Sequence, residues 1–252
     1  MTLVWCELKS LWRSRQLVLL LFFFFLLGYT APMIAYYLPD LLKVLGTTNI
    51  TIMMRKITSV DLLASYDKNI MQLGFFFLSY VLALRVTFNQ QESLKLAYLQ
   101  RSKTNYRRYF YKIIASLVVT WLCLTLSYFS CIYVLWALDY HLVLSHILLA
   151  YGVMLLGFSS LICLTLVLAI YLDSALIAAF LLQLLLLVGS VLSASKIISK
   201  WTPWSLLTTA KIVQQGTEAI KITPIIICFS LCFLTFASVL FVKSVLKYNT
   251  EI

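Results

Sequence analysis

The strongest constraint on this chain is the stretch from Ile147 to Ser195, which contains a single charged residue, Asp173. As one helix it would be about 73 Å long at a rise of 1.5 Å per residue, whereas the hydrocarbon core of a bilayer is about 30 Å thick. Backbone polar groups inside lipid must be paired within the protein, which helices achieve. The stretch therefore predicts two membrane-crossing helices that turn near Asp173, with Asp173 and Ser174 capping the second.

Composition extends this interpretation to the whole chain. Hydrophobic residues make up 62% of the 252 residues and charged residues 12%, whereas about a quarter of the residues of a soluble domain are charged. The sequence predicts one all-α membrane domain over residues 1–252. Residues 196–221, with Trp201 and Trp204 on either side of Pro203, are predicted as an excursion at the membrane interface. Six predicted transmembrane helices cover residues 17–38, 69–88, 113–138, 147–172, 174–195 and 222–242.

The first 16 residues have the pattern of an amphipathic helix that lies on the membrane surface. Val4, Leu8, Leu11 and Trp12 fall along one helical stripe, and most of the charged residues lie elsewhere. The apolar run that follows is too long for the core of a secretory signal peptide, so it is predicted as the first span. Trp5 and Trp12 are the candidate interfacial residues of this helix.

A basic segment, Arg85–Lys112, separates the second and third predicted spans. Its only acidic residue is Glu92. Because cytoplasmic loops of membrane proteins are enriched in Lys and Arg, this segment and both termini are predicted to be cytoplasmic, in a multi-pass protein of a cell membrane such as a bacterial plasma membrane. The segment either receives a signal from a soluble partner or only sets the topology. Its basic residues are Arg85, Lys95, Arg101, Lys103, Arg107, Arg108 and Lys112.

Several functional classes lack their expected residues. No GxxxxGK[ST] motif is present, so the chain is not expected to bind ATP by that route. The predicted spans contain no zinc or protease motif, which argues against an enzyme, and no carboxylate, Lys or Arg near their centres, which argues against proton coupling. The net charge of +11 is explained by loops that face anionic lipid headgroups, and no nucleic-acid partner is expected.

Gln183 is the most polar side chain near the middle of a predicted span. An amide inside a membrane needs a hydrogen-bond partner on another helix. The sequence predicts that Gln183 contacts a neighbouring helix or a second subunit, with contact to a transported substrate as the alternative.

The order of these segments resembles the permease subunit of type 2 ABC exporters. The resemblance covers nearly the whole chain and is carried by ELKSLWRSR (Glu7–Arg15), PMIAYYLPDLLK (Pro32–Lys43), DLLASYDKNIMQLG (Asp61–Gly74), LAYLQRSKTNYRRYFYKIIA (Leu96–Ala115) and KWTPWSLL (Lys200–Leu207).

This resemblance implies a dimer of permease subunits, identical or different, each bound to a separately encoded ATPase that holds ATP and magnesium. This chain itself would hold no cofactor. The basic segment would form a cytoplasmic coupling helix that transmits closure of the ATPase to the spans. The expected substrate is amphipathic or hydrophobic, such as a peptide, a drug or a lipid-like molecule. The alternative is a non-transporting sensor or immunity subunit that binds a peptide or partner protein. The residues expected to contact the ATPase are Glu92, Lys95, Tyr98, Leu99, Arg101, Lys103 and Arg107.

Overall fold

The structure is a computed structural model that describes residues 2–45, 57–87, 105–192, 206–220 and 222–248. Helices account for nearly all of these residues. In chain order they are α1 (Thr2–Arg13), α2 (Gln16–Leu45), α3 (Ser59–Asn69), a π-helical turn (Ile70–Gly74), α4 (Phe75–Val86), α5 (Asn105–Ala137), α6 (Leu144–Leu172), α7 (Ala175–Leu192), α8 (Thr209–Gln215), a 3-10 turn (Gly216–Ala219) and α9 (Ile222–Tyr248).

Four helical segments are long and apolar enough to cross a membrane, which confirms the prediction of an all-α, multi-pass membrane protein for the described part of the chain. A shorter apolar helix spans Ala175–Ser190. The helical segments Thr209–Glu218 and Ile222–Thr235 form a further pair bent by 119°. A count of six spans stays a prediction. The four long segments are Gln16–Leu41, Ser59–Val86, Phe110–Ala137 and Leu144–Leu172.

The second of these segments begins at Ser59 rather than at residue 69. Its start is fixed by a capping box, in which the Thr58 backbone N–H donates to the Asp61 carboxylate at 2.9 Å. The helix then continues through the π-helical turn to Val86. This helix start places Asp67, which the sequence prediction left outside the spans, about 12 Å along the helix from Ser59. Asp67 is thus a carboxylate within this long helical segment, five residues before its midpoint at Gln72.

The end of the helical bundle at which α1 lies is called the α1 end. At the α1 end lie the start of α2 and the end of α4, because Arg85 on α4 hydrogen-bonds to Gln16 at the start of α2. Ser59 lies at the opposite end. The central helix is α6, which packs against α4, α5, α7, α8 and α9.

Close packing of α2 on α5 depends on Gly28. A Cβ atom at this position would lie 2.1 Å from the backbone carbonyl oxygen of Ser127 on α5. Only a glycine leaves room for the two backbones to approach this closely. Small residues commonly permit such contacts between helices in membranes.

The described residues directly before α9, 206–220, enter the bundle. Leu207 packs on Gly157, where a Cβ would lie 2.9 Å from its side chain, and Gly157 is near the middle of α6. At its other end α8 is followed by Gly216, which contacts His146 near the beginning of α6. Thus α8 runs from the interior of the bundle toward the opposite end, and six of the residues 206–213 are buried: Leu206, Leu207, Thr209, Ala210, Ile212 and Val213. Trp201 and Trp204, on which the interfacial prediction rests, lie outside the described residues.

Candidate functional site: polar groups inside the helical bundle

Asp67 is a buried carboxylate that holds the start of α8. It is only 4% exposed. One carboxylate oxygen accepts hydrogen bonds from the backbone N–H groups of Thr209 at 2.6 Å and Ala210 at 3.2 Å, and the other accepts from the Thr209 hydroxyl at 2.7 Å. Asp67 therefore acts as an N-cap supplied by a different helix.

The position of α8 explains why this cap is needed. The first N–H groups of any helix lack partners within it. At the surface, water would satisfy them, but α8 begins inside the bundle beside Leu206 and Leu207, both buried. A carboxylate makes strong hydrogen bonds to such N–H groups and suits the positive end of the helix dipole. Asp67 consequently couples α3 to the segment that precedes α9.

Gln183 on α7 contacts the π-helical turn of the second span. Its side-chain nitrogen donates to the backbone carbonyl oxygens of Met71 at 3.3 Å and Gln72 at 3.1 Å. A π-helical turn shifts the hydrogen-bond register from i+4 to i+5, so carbonyls near it lose their usual helical partners. The prediction that Gln183 contacts a neighbouring helix is confirmed, and its contact with a second subunit or a substrate stays a prediction.

The other polar atom of Gln183 is unsatisfied. Its Oε1 atom is buried and has no hydrogen-bond partner among the described residues. Next to it, Gln72 is exposed and lies at the midpoint of the segment Ser59–Val86. Gln72 and Gln183 are called the amide pair below. They place an exposed amide and a buried, unpaired carbonyl oxygen near the middle of this segment. The surrounding α7 surface is apolar and exposed at Phe180, Leu184 and Leu187.

The sequence alone gave no reason to single out Gln72. With a span that begins at residue 69, Gln72 would lie in the first turn, near the headgroups. The capping box at Thr58 and Asp61 was the available signal, because it moves the start of the helix back and brings Gln72 to the centre.

Arg85 joins the end of α4 to the turn between α1 and α2. Its guanidinium donates to Gln16 Oε1 at 2.8 and 2.6 Å, to Ser14 Oγ at 2.6 Å and to Ser10 Oγ at 3.1 Å. Lys112 on α5 also donates to the Arg85 carbonyl oxygen at 2.8 Å. The two ends of the basic segment, Arg85 and Lys112, therefore meet at the α1 end of the bundle.

The predicted interfacial residues Trp5 and Trp12 are exposed, at 68% and 61%. They are seven positions apart, so they share one face of α1, whereas Leu11 is buried against the bundle. This arrangement suits a helix with aromatic side chains at a membrane surface. Arg107 lies in the first turn of α5. The other predicted ATPase-contact residues lie outside the described residues: Glu92, Lys95, Tyr98, Leu99, Arg101 and Lys103.

Comparisons with protein-family models, curated proteins and solved structures gave no match. In the ranges that the structure describes, no group of three or more His, Cys, Asp or Glu side chains is arranged to hold a metal ion.

Proposed function

We propose that this chain is the membrane-spanning subunit of an ATP-driven exporter, with six spans, cytoplasmic termini and a separately encoded ATPase partner. The substrate is amphipathic or hydrophobic, because the predicted spans offer aromatic and aliphatic side chains and few charges. The proposal builds on the resemblance to type 2 ABC exporter permeases and on two features of the bundle.

The observation that carries the proposal is the position of the amide pair at the midpoint of the segment Ser59–Val86. An exposed amide at the centre of a span is unfavourable in lipid, and polar groups at this depth commonly pair with another helix or face a pathway. A second permease subunit packed against Gln72 and the exposed face of α7 would cover it. Gln183, whose buried Oε1 lacks a partner among the described residues, would then lie beneath the boundary between two subunits.

The second feature is the contact between the two ends of the basic segment. Its end continues into α5, an uninterrupted helix of 33 residues that is about 50 Å long. Its start is fixed by the bond between Lys112 and the Arg85 carbonyl. A force applied to this segment by an ATPase would therefore move α4 and α5 together, as a rigid-body transition requires.

Asp67 has a structural role that does not require proton transfer. Its carboxylate oxygens are occupied by three donors from α8. The proposal therefore assigns the energy source to the partner ATPase, and Asp67 to holding the buried end of α8.

The first experiment is affinity purification of the full chain from its native membrane. We expect an ATPase with a Walker motif to co-purify, and Arg101→Glu with Arg107→Glu to release it, because charge reversal would place acids against an acidic partner surface. The matched control is Lys200→Glu with Lys211→Glu, an equal charge change on the other predicted side. Failure of the wild-type chain to retain any ATPase would refute the exporter proposal and favour a sensor or immunity subunit.

The second experiment tests the subunit boundary. The test places the two-fold axis of a homodimer beside Gln72, because equivalent residues meet only close to such an axis. In a variant without the native cysteines, Gln72→Cys should then form a disulfide-linked dimer in membranes. Ile226→Cys is the control, since Ile226 is 60% exposed on α9, which packs against α5 and α6. Equal crosslinking of both variants would contradict an interface at the amide pair.

A further inference from the structure

A tight turn joins α1 to α2 and presents two arginines. Arg15 adopts a left-handed conformation with φ 57°. Its backbone N–H donates to the Trp12 carbonyl oxygen at 3.0 Å, and the Ser14 N–H donates to the Ser10 carbonyl oxygen at 3.0 Å. These bonds fix the direction in which the chain leaves α1. As a result, Arg13 and Arg15 lie beside the first turns of α2.

The two arginines border a shallow groove of about 670 Å³. One wall is apolar, with Leu19 56% exposed and Phe22 61% exposed. Within the described part of the chain, no hydrogen bond or ion pair engages either guanidinium. The full lining of the groove is Trp12, Arg13, Arg15, Val18, Leu19 and Phe22.

This combination matches the chemistry of an anionic phospholipid. The apolar wall belongs to α2, whose segment Gln16–Leu41 is apolar enough to cross a membrane, so acyl chains are its natural neighbours. Guanidinium groups bind phosphate oxygens through bidentate hydrogen bonds. Tryptophan is favoured at the depth where headgroup and acyl chain meet, and Trp12 lies beside the arginines.

We propose that this groove binds one anionic phospholipid. Arg13 and Arg15 hold its phosphate, and one acyl chain lies along Val18, Leu19 and Phe22. The site is independent of the export proposal, because it rests on the groove alone.

Binding at the groove would also stabilise the docking of α1. The same turn that carries Arg13 and Arg15 carries Ser14 and Gln16, which accept hydrogen bonds from Arg85 on α4. A lipid on one side of the turn and Arg85 on the other would hold it in one conformation.

The experiment measures lipid binding to the purified full-length protein in neutral detergent, by native mass spectrometry and by thermal unfolding. Phosphatidylglycerol and phosphatidylcholine with the same acyl chains are compared. We expect preferential retention of phosphatidylglycerol, and we expect Arg13→Gln with Arg15→Gln to weaken it roughly 10- to 30-fold, because each surface arginine contributes to the attraction of anionic lipid. Lys68→Gln with Lys211→Gln, which removes the same charge from other exposed positions, should retain wild-type binding.

Two further measurements keep the proposal open to refutation. If the double glutamine variant does not fold, Val18→Glu keeps both arginines and should reduce phosphatidylglycerol binding by repulsion within the groove. Glycerol phosphate, which has the anionic group without acyl chains, should not raise the unfolding temperature at matched concentration. Equal binding of both lipids, unchanged binding in the groove variants, or full stabilisation by glycerol phosphate would overturn the proposal.

Discussion

Replacing Asp67 by alanine should release the buried end of α8. The substitution removes the acceptor for three donors, namely the N–H groups of Thr209 and Ala210 and the Thr209 hydroxyl. A buried donor without a partner costs about 1–3 kcal/mol. Taking the lower value for each donor, because water can enter around a shortened side chain, the start of α8 should lose about 3 kcal/mol of local stability.

The consequence can be measured by hydrogen exchange of the full chain in lipid nanodiscs. A loss of about 3 kcal/mol corresponds to roughly 100-fold faster exchange, since each 1.4 kcal/mol is a factor of about ten. The effect should be confined to the amides of α8 and its flanking residues. Asp67→Asn keeps one acceptor oxygen, so we expect a smaller acceleration, roughly 10-fold.

The neighbouring residue supplies the control. Lys68 is exposed, so Lys68→Ala should leave the exchange of α8 unchanged. The reasoning would be refuted if Asp67→Ala left α8 as protected as in the wild-type protein, or if the faster exchange were spread evenly over all helices.

Three further predictions concern other contacts of the bundle. Gly28→Ala should destabilise the protein by about 2–3 kcal/mol in a detergent-unfolding assay, because the added Cβ would overlap the Ser127 carbonyl. Gly152→Ala is the control: its Cβ would meet no atom within 4 Å, so stability in the same assay should change by less than about 1 kcal/mol. Arg85→Ala should speed amide exchange in α1 about 10-fold by removing its hydrogen bonds to the α1–α2 turn, and an unchanged α1 would contradict this. Gln183→Leu should cost about 0.6–1 kcal/mol in detergent unfolding, since hydrogen bonds between membrane helices are individually weak; a stabilised protein would show that the contact is unfavourable.

The position of Asp67 illustrates where sequence reasoning failed. The short polar run around Asp67 and Lys68 reads locally as a loop, because a charged residue is unfavourable in lipid. Whether such a residue is tolerated inside a helix depends on donors that come from residue 209, far along the chain. No local pattern at Asp67 indicates that those donors exist.

Gln183 was easier to recognise than Gln72. A glutamine at the centre of a long apolar run stands out by contrast, and the need for a hydrogen bond follows from its environment. The identity of the partner did not follow, because it depends on a π-helical turn at Ile70–Gly74 and on the packing of α7 against α4.

The sequence by itself determined that this chain is a helical membrane protein, that charged segments separate its apolar helices, and that α1 is amphipathic. These properties follow from local hydrophobicity and from the need to pair every backbone group in lipid. Only the tertiary structure decided that α8 enters the bundle and that Gln183 on α7 contacts Met71 and Gln72 on the second long segment. Those outcomes depend on contacts between residues more than a hundred positions apart, which no local pattern encodes.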